Sequence, residues 1–120
     1  MTKSTSNNTQ YDLEERTVRF GEAIIELCKK VKITTVTQPI VNQLVKAGTS
    51  VGANYCEADD AESKKDFKHK IGICKKESRE STYFLRMLAK ATPENEDEAK
   101  EIWQEAKELN LIFNSIFKKV

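Results

Sequence analysis

Apolar residues recur along this chain at steps of three and four, the signature of an α-helix with one buried stripe, in four separate segments. Strand-like character is confined to one β-branched stretch, Ile33 to Thr37, which is too short to make a sheet alone and reads as a linker. The first helix is expected from about Asp12, whose carboxylate can cap while Glu15 returns the bond, to about Lys30. Its core stripe is Leu13, Thr17, Phe20, Ile24, Leu27 and Val31. The second is expected from a cap at Thr37, with Pro39 in the first turn where a missing N–H costs nothing, to about Ala58. Ile40, Leu44, Ala47, Val51 and Tyr55 form its seam.

Ser63-Lys64-Lys65-Asp66 has the form of a capping box with Asp in place of Glu, and it opens a third helix that runs to about Ala91. Phe67, Ile71, Cys74, Ser78, Ser81, Leu85 and Leu88 make that seam, and Pro93 ends the helix. A dense acidic turn, Glu94, Glu96, Asp97 and Glu98, suits the positive end of the fourth helix dipole. The fourth seam is Ala99, Ile102, Ala106, Leu109, Phe113, Ile116 and Val120, with Trp103 and Phe117 alongside. Four amphipathic helices on short connections predict an all-α, up-down four-helix bundle over residues 11–120, behind a polar arm of residues 1–10 expected to be disordered. Gly48 and Gly52 fall inside the second helix, where each costs about 1 kcal/mol relative to Ala. Close approach of a neighbouring helix is the expected compensation.

Length changes this picture little, since 120 residues make one domain with one core. The longest apolar runs, Ala23-Ile24-Ile25 and Leu111-Ile112-Phe113, fall far short of the ~20 residues that span a bilayer, so no membrane partner is expected. A polar N-terminus without an apolar secretion segment predicts a cytoplasmic protein. Cys28, Cys56 and Cys74 contain no C-x-x-C pair and are expected as reduced, buried small apolar residues.

Charge changes the picture more. The chain carries 20 Lys+Arg against 19 Asp+Glu, a net of +1 that hides a strong local imbalance. Between Ser63 and Lys90 stand nine Lys/Arg and only three acids, Asp66, Glu77 and Glu80. At 100° per residue, Lys64, Lys68, Lys75, Arg79, Arg86 and Lys90 all fall on one flank of the third seam and the three acids on the other. Such a basic ridge can track a phosphate backbone. It can also remain solvated, or meet the acidic stripe Glu98, Glu101, Glu105 and Glu108 of the fourth helix in the same or another subunit.

Candidate chemistry is sparse. His69 is the only histidine, no serine sits in a G-x-S-x-G elbow, and Gly48-Thr49-Ser50-Val51-Gly52 lies within a helical pattern instead of a phosphate-binding turn. A di-iron bundle requires two Glu-x-x-His pairs, which one histidine cannot supply. The acidic cluster Glu57, Asp59, Asp60 and Glu62 matches no EF-hand spacing and reads as a solvated connection. No catalytic residue, metal, cofactor or small-molecule substrate is therefore assigned. Ser50, Asn54 and Glu57 share one face of the second helix, and Glu77 and Glu80 one face of the third, which indicates a structural polar network.

Ser50-Val51-Gly52-Ala53-Asn54-Tyr55-Cys56-Glu57-Ala58, Ser63-Lys64-Lys65-Asp66-Phe67, Glu77-Ser78-Arg79-Glu80 and Tyr83-Phe84-Leu85 together resemble the four-helix bundle proteins encoded in intervening sequences of bacterial large-subunit ribosomal RNA genes. The resemblance covers about residues 12 to 118; Gly52, Cys56 and Cys74 stand at positions that vary in the family. It implies a ring-shaped homo-oligomer, commonly a homopentamer. It also brings in a relative, the accessory protein of diversity-generating retroelements, a pentameric barrel thought to bind nucleic acid through a basic surface. Two functions are compatible with these observations. One is a non-enzymatic, homo-oligomeric accessory protein that binds RNA or DNA along the third helix. The other is a protein-interaction or scaffold module, in which Ile73, Phe84, Met87 and Leu111, lying off the seams, serve assembly or a partner.

Overall fold

The four helical periods become α1 (Thr9–Lys30), α2 (Thr37–Asp59), α3 (Lys64–Ala91) and α4 (Glu96–Lys119), with one 3-10 turn at Pro93–Asn95 ahead of α4. This computed structural model describes residues 9–120, with side chains from Leu13 onward. The α1 helix starts three residues before the expected Asp12 cap, so Asp12 lies within the helix and does not begin it. Of the arm expected over residues 1–10, Thr9 and Gln10 are helical and the rest lies outside the described residues. The 31–36 connection is irregular, as its length requires.

Two helix starts show how local hydrogen bonding sets boundaries. The Ser63 hydroxyl accepts from the Asp66 N–H at 3.0 Å, the forward half of a capping box. Thr37 is already helical, and Val36 holds the cap position without a side-chain bond. The Thr37 hydroxyl instead accepts from the Thr34 N–H at 2.8 Å and donates to the Lys32 carbonyl at 2.7 Å. It thereby pins the incoming loop and not the helix end.

The seams meet in one core. All six α1 positions are buried, as are Leu44, Ala47, Val51 and Tyr55 of α2, all of the α3 stripe from Ile71 to Leu88, and α4 from Ala99 to Phe113. Ile40, Phe67 and Ile116 are half-buried at the ends of their stripes. Val120 departs from expectation: it lies beyond the last helical turn and is 47% exposed. Cys28 and Cys74 are buried, and loss of hydration pushes their thiols up to about 11 and about 12. Cys56 is exposed, contrary to its expected burial, because it falls a third of a turn outside the α2 seam.

Consecutive helices run antiparallel and pack face to face, α1 on α2, α2 on α3 and α3 on α4, while α1 touches α4 more lightly. The α1–α2 seam is tight at two glycines of α2. A Cβ placed on Gly48 would stand 2.2 Å from Ile24 Cδ1, and one on Gly52 would stand 3.2 Å from Thr17 Oγ1. Those two glycines thus admit the α1 side chains, which explains their place inside a helix. The α1–α4 seam is polar: Arg16 reaches Glu105 at 2.7 Å and Glu108 at 3.3 Å, and Lys30 reaches Glu98 at 2.9 Å. Among the described residues no helix is long and apolar enough to cross a membrane.

Candidate nucleic-acid interface

Because α3 is sandwiched between α2 and α4, its core stripe has two flanks, and the six ridge cations occupy the flank beside α4. Lys64, Arg79, Arg86 and Lys90 are exposed, and Lys68 and Lys75 half-buried. The ridge is about 39 Å long at the helical rise of 1.5 Å per residue. Among the described residues none of the six cations lies within ion-pairing distance of an acid. The acidic stripe of α4 cannot neutralise them within the chain, since three of its four members, Glu98, Glu105 and Glu108, point to α1 and are bound there by Arg16 and Lys30.

The α4 surface that faces the ridge is aromatic and amide-rich instead. The Lys68 and Lys75 ammonium groups stand 4.7 Å and 4.5 Å from the Phe117 ring centroid, an arrangement that holds both cations without cancelling their charge. Gly72 allows it, since a Cβ there would stand 3.3 Å from the Phe117 ring. Asn110 donates to the Lys75 carbonyl at 2.8 Å and the Ser78 hydroxyl at 3.1 Å, and Asn114 donates to Asn110 at 3.0 Å. Ser78 is fully buried, and Asn110 adds a partner from α4 to the bond its hydroxyl already donates to the Lys75 carbonyl. A cleft of about 390 Å³ opens above it, lined by Gly72, Lys75, Lys76, Arg79, Glu80, Asn110 and Asn114. Further along, Trp103 and Lys100 of α4 face Arg86 and Lys90 across the helix pair, and the Lys107 ammonium stands 4.3 Å over the Trp103 ring. The ridge is therefore one wall of an α3–α4 groove whose other wall carries cations too.

The five residues assigned to a polar network are placed differently. Asn54 is half-buried and donates to the Ser50 carbonyl of its own helix at 2.9 Å. Glu57 is exposed and pairs with Lys70 at 2.6 Å. Glu77 and Glu80 lie beside each other on α3; burial, with the Glu80 charge second, raises the Glu77 carboxyl above its ordinary range. Among the described residues no hydrogen bond joins the α2 trio to the α3 pair, because the trio bonds within α2 or to Lys70. The cross-helix polar contact is made by Asn110, which the sequence signals only as an amide one position beyond the seam residue Leu109. Of the off-seam apolar residues, Leu111 is 67% exposed, whereas Ile73, Phe84 and Met87 are half-buried.

No cluster of three or more His, Cys, Asp or Glu is placed to hold a metal among the described residues. A family model described as the 23S rRNA-intervening sequence protein matches residues 9–115. Among solved structures, a protein of unknown function from the S23 ribosomal protein family of Bacteroides thetaiotaomicron superposes with a TM-score of 0.78. It is 29% identical, and the match covers 88% of this chain and 98% of that one. None of the curated proteins matches.

Proposed function

Since this chain belongs to the 23S rRNA-intervening sequence protein family, we propose that it is a non-enzymatic, self-associating helical bundle that binds RNA or DNA along the α3–α4 groove. One observation carries the reading: among the described residues six cations on one flank of α3 have no acidic partner, while three of the four acids in the α4 stripe are paired with α1. A row of cations held apart from its own acids attracts a polyanion and releases that polyanion's counterions on contact. Exposed Leu111 and Tyr83 supply apolar surface for self-association. Light scattering should then give a multiple of the 13.7 kDa chain mass.

The test is binding of RNA and DNA as a function of salt. Each neutralised phosphate contributes about −0.7 to −0.9 to the log–log slope, so a track using most of the ridge gives a slope of about −3 to −5. Lys68→Glu and Lys75→Glu would also strip Phe117 of its cation–π contacts, so Lys64, Arg79 and Arg86 are the cleaner positions to reverse. Their reversal abolishes binding, whereas reversing Arg19 and Lys29 on α1 leaves it nearly intact. Absence of binding by the native protein at about 50 mM salt, where electrostatic affinity is strong, refutes the proposal. A scaffold role would then remain.

A further inference from the structure

At the C-terminal end of the ridge the groove changes character. Between the last turns of α3 and the first turns of α4 it deepens to about 680 Å³, within the range of roughly 300–1,000 Å³ that binds small organic groups. Its lining is mainly apolar, with Ala89, Pro93 and the indole of Trp103. Two ridge cations, Arg86 and Lys90, stand on its rim, and Lys100, also there, is partnered by Glu96 at 3.1 Å. An aromatic wall beneath unpaired cations is more than a phosphate track requires. It complements a ligand with a flat apolar face joined to anions on either side.

Single-stranded nucleic acid has that chemistry, because its bases can leave the stack and present a π-face, whereas a duplex keeps both faces covered. We propose that this groove receives one unstacked nucleobase of a single strand, packed against Trp103 with the mobile Lys107 ammonium, now 4.3 Å over that ring, giving way to it, while Arg86 and Lys90 hold the adjoining phosphates. The proposal rests on the ridge being a phosphate-binding surface and adds to it a preference for single strands. The geometry supports that addition in two ways. The groove is continuous with the ridge through Arg86 and Lys90, and among the described residues these cations have no acidic partner.

Trp103 is the sole tryptophan, so its emission reports on this groove alone. Three probes of equal length separate the possibilities: a single-stranded oligonucleotide, the matching duplex, and a single strand with abasic positions. The intact single strand should quench Trp103 and bind about tenfold more tightly than the abasic strand, in keeping with the stacking of one base on an aromatic ring. The abasic strand leaves the protein unaltered, so this comparison does not depend on a variant folding. Ala89→Phe, which fills the groove while leaving every cation in the chain, should remove the quenching and the single-strand preference while the salt-dependent affinity for duplex persists. Equal binding of all three probes with unchanged emission overturns the base pocket and leaves the phosphate track standing. No binding of any probe at about 50 mM salt overturns both. Dissociation of the protein to single chains by Ala89→Phe, seen by light scattering, would mark the groove as a contact between subunits and overturn the proposal as well.

Discussion

Replacing Gly48 by alanine tests the α1–α2 seam at its tightest point. Within a helix, Gly→Ala on its own stabilises by about 1 kcal/mol, because glycine loses more backbone freedom on folding. At Gly48 the new methyl would stand 2.2 Å from Ile24 Cδ1, with Ile24 Cγ1 and Cγ2 both at 3.4 Å, so the Ile24 side chain has to move. Ile24 is fully buried, so its Cδ1 has to be re-accommodated within a close-packed core. Overpacking of this kind costs about 1–3 kcal/mol. The net is a loss of about 1 kcal/mol. Gly21 is the internal control: it lies in α1 against the same seam, but its nearest neighbour would be 3.8 Å from the new methyl, an ordinary contact. Gly21→Ala should therefore stabilise by about 0.5–1 kcal/mol. The two variants should differ by about 2 kcal/mol, or roughly 6–10 °C in Tm for a chain of this size. Thermal and urea unfolding followed by circular dichroism measure both quantities, and an unchanged m-value shows that only stability moved. Ile24→Val deletes the offending Cδ1, so the Gly48→Ala/Ile24→Val double variant should be less destabilised than the sum of its parts. Equal stability of Gly48→Ala and Gly21→Ala, within about 0.5 kcal/mol, would refute the close-approach argument.

Asn110→Ala should cost about 1–2 kcal/mol in urea unfolding, since it strips the buried Ser78 hydroxyl and the Lys75 carbonyl of a cross-helix donor. Asn54→Ala, whose bond goes to a carbonyl of its own helix, should change stability by no more than about 0.5 kcal/mol; the reverse order would mean that the α2 amide is the structural one. Glu77 is raised by burial and by Glu80, so its ionised form opposes folding above the raised pKa and that penalty vanishes once pH falls below the ordinary carboxylate range. Glu77→Gln should accordingly raise Tm at neutral pH, with a gain that shrinks on acidification, whereas a gain independent of pH would exclude charge as its cause.

The residues that define the four stripes were legible in the sequence because a helix of 3.6 residues per turn can bury only one face, and steps such as Ile71, Cys74, Ser78 and Ser81 leave no alternative face. Ser63, Asp66 and Pro93 marked boundaries for equally local reasons. What periodicity leaves open is the hand of the bundle, and hence which flank of each stripe meets which neighbour. On α4 the choice decides whether Glu98, Glu105 and Glu108 or Asn110, Trp103 and Phe117 face the basic ridge, and both flanks are equally compatible with the same seam. The cationic ridge was therefore visible as a pattern, while the groove built around it was not. The same ambiguity led Ser50, Asn54 and Glu57 to be grouped with Glu77 and Glu80, although the α2 residues find partners within α2 and on Lys70.

The light contact between α1 and α4 bears on how the chain acquires its structure. Every extensive seam joins helices adjacent in the chain, and the one seam between distant helices is held largely by Arg16 and Lys30 to surface carboxylates. Pairing of neighbouring segments closes only short loops, so little chain entropy is spent before packing rewards it, and folding of this class is completed in microseconds to milliseconds. During synthesis α1 and α2 can lock across Gly48 as soon as both have emerged, α3 can add to that pair, and α4 arrives last. Its docking then completes the α3–α4 groove in the same event that ties Glu98, Glu105 and Glu108 to α1. A nascent chain consequently carries the α3 cations without their second wall until its final helix is in place.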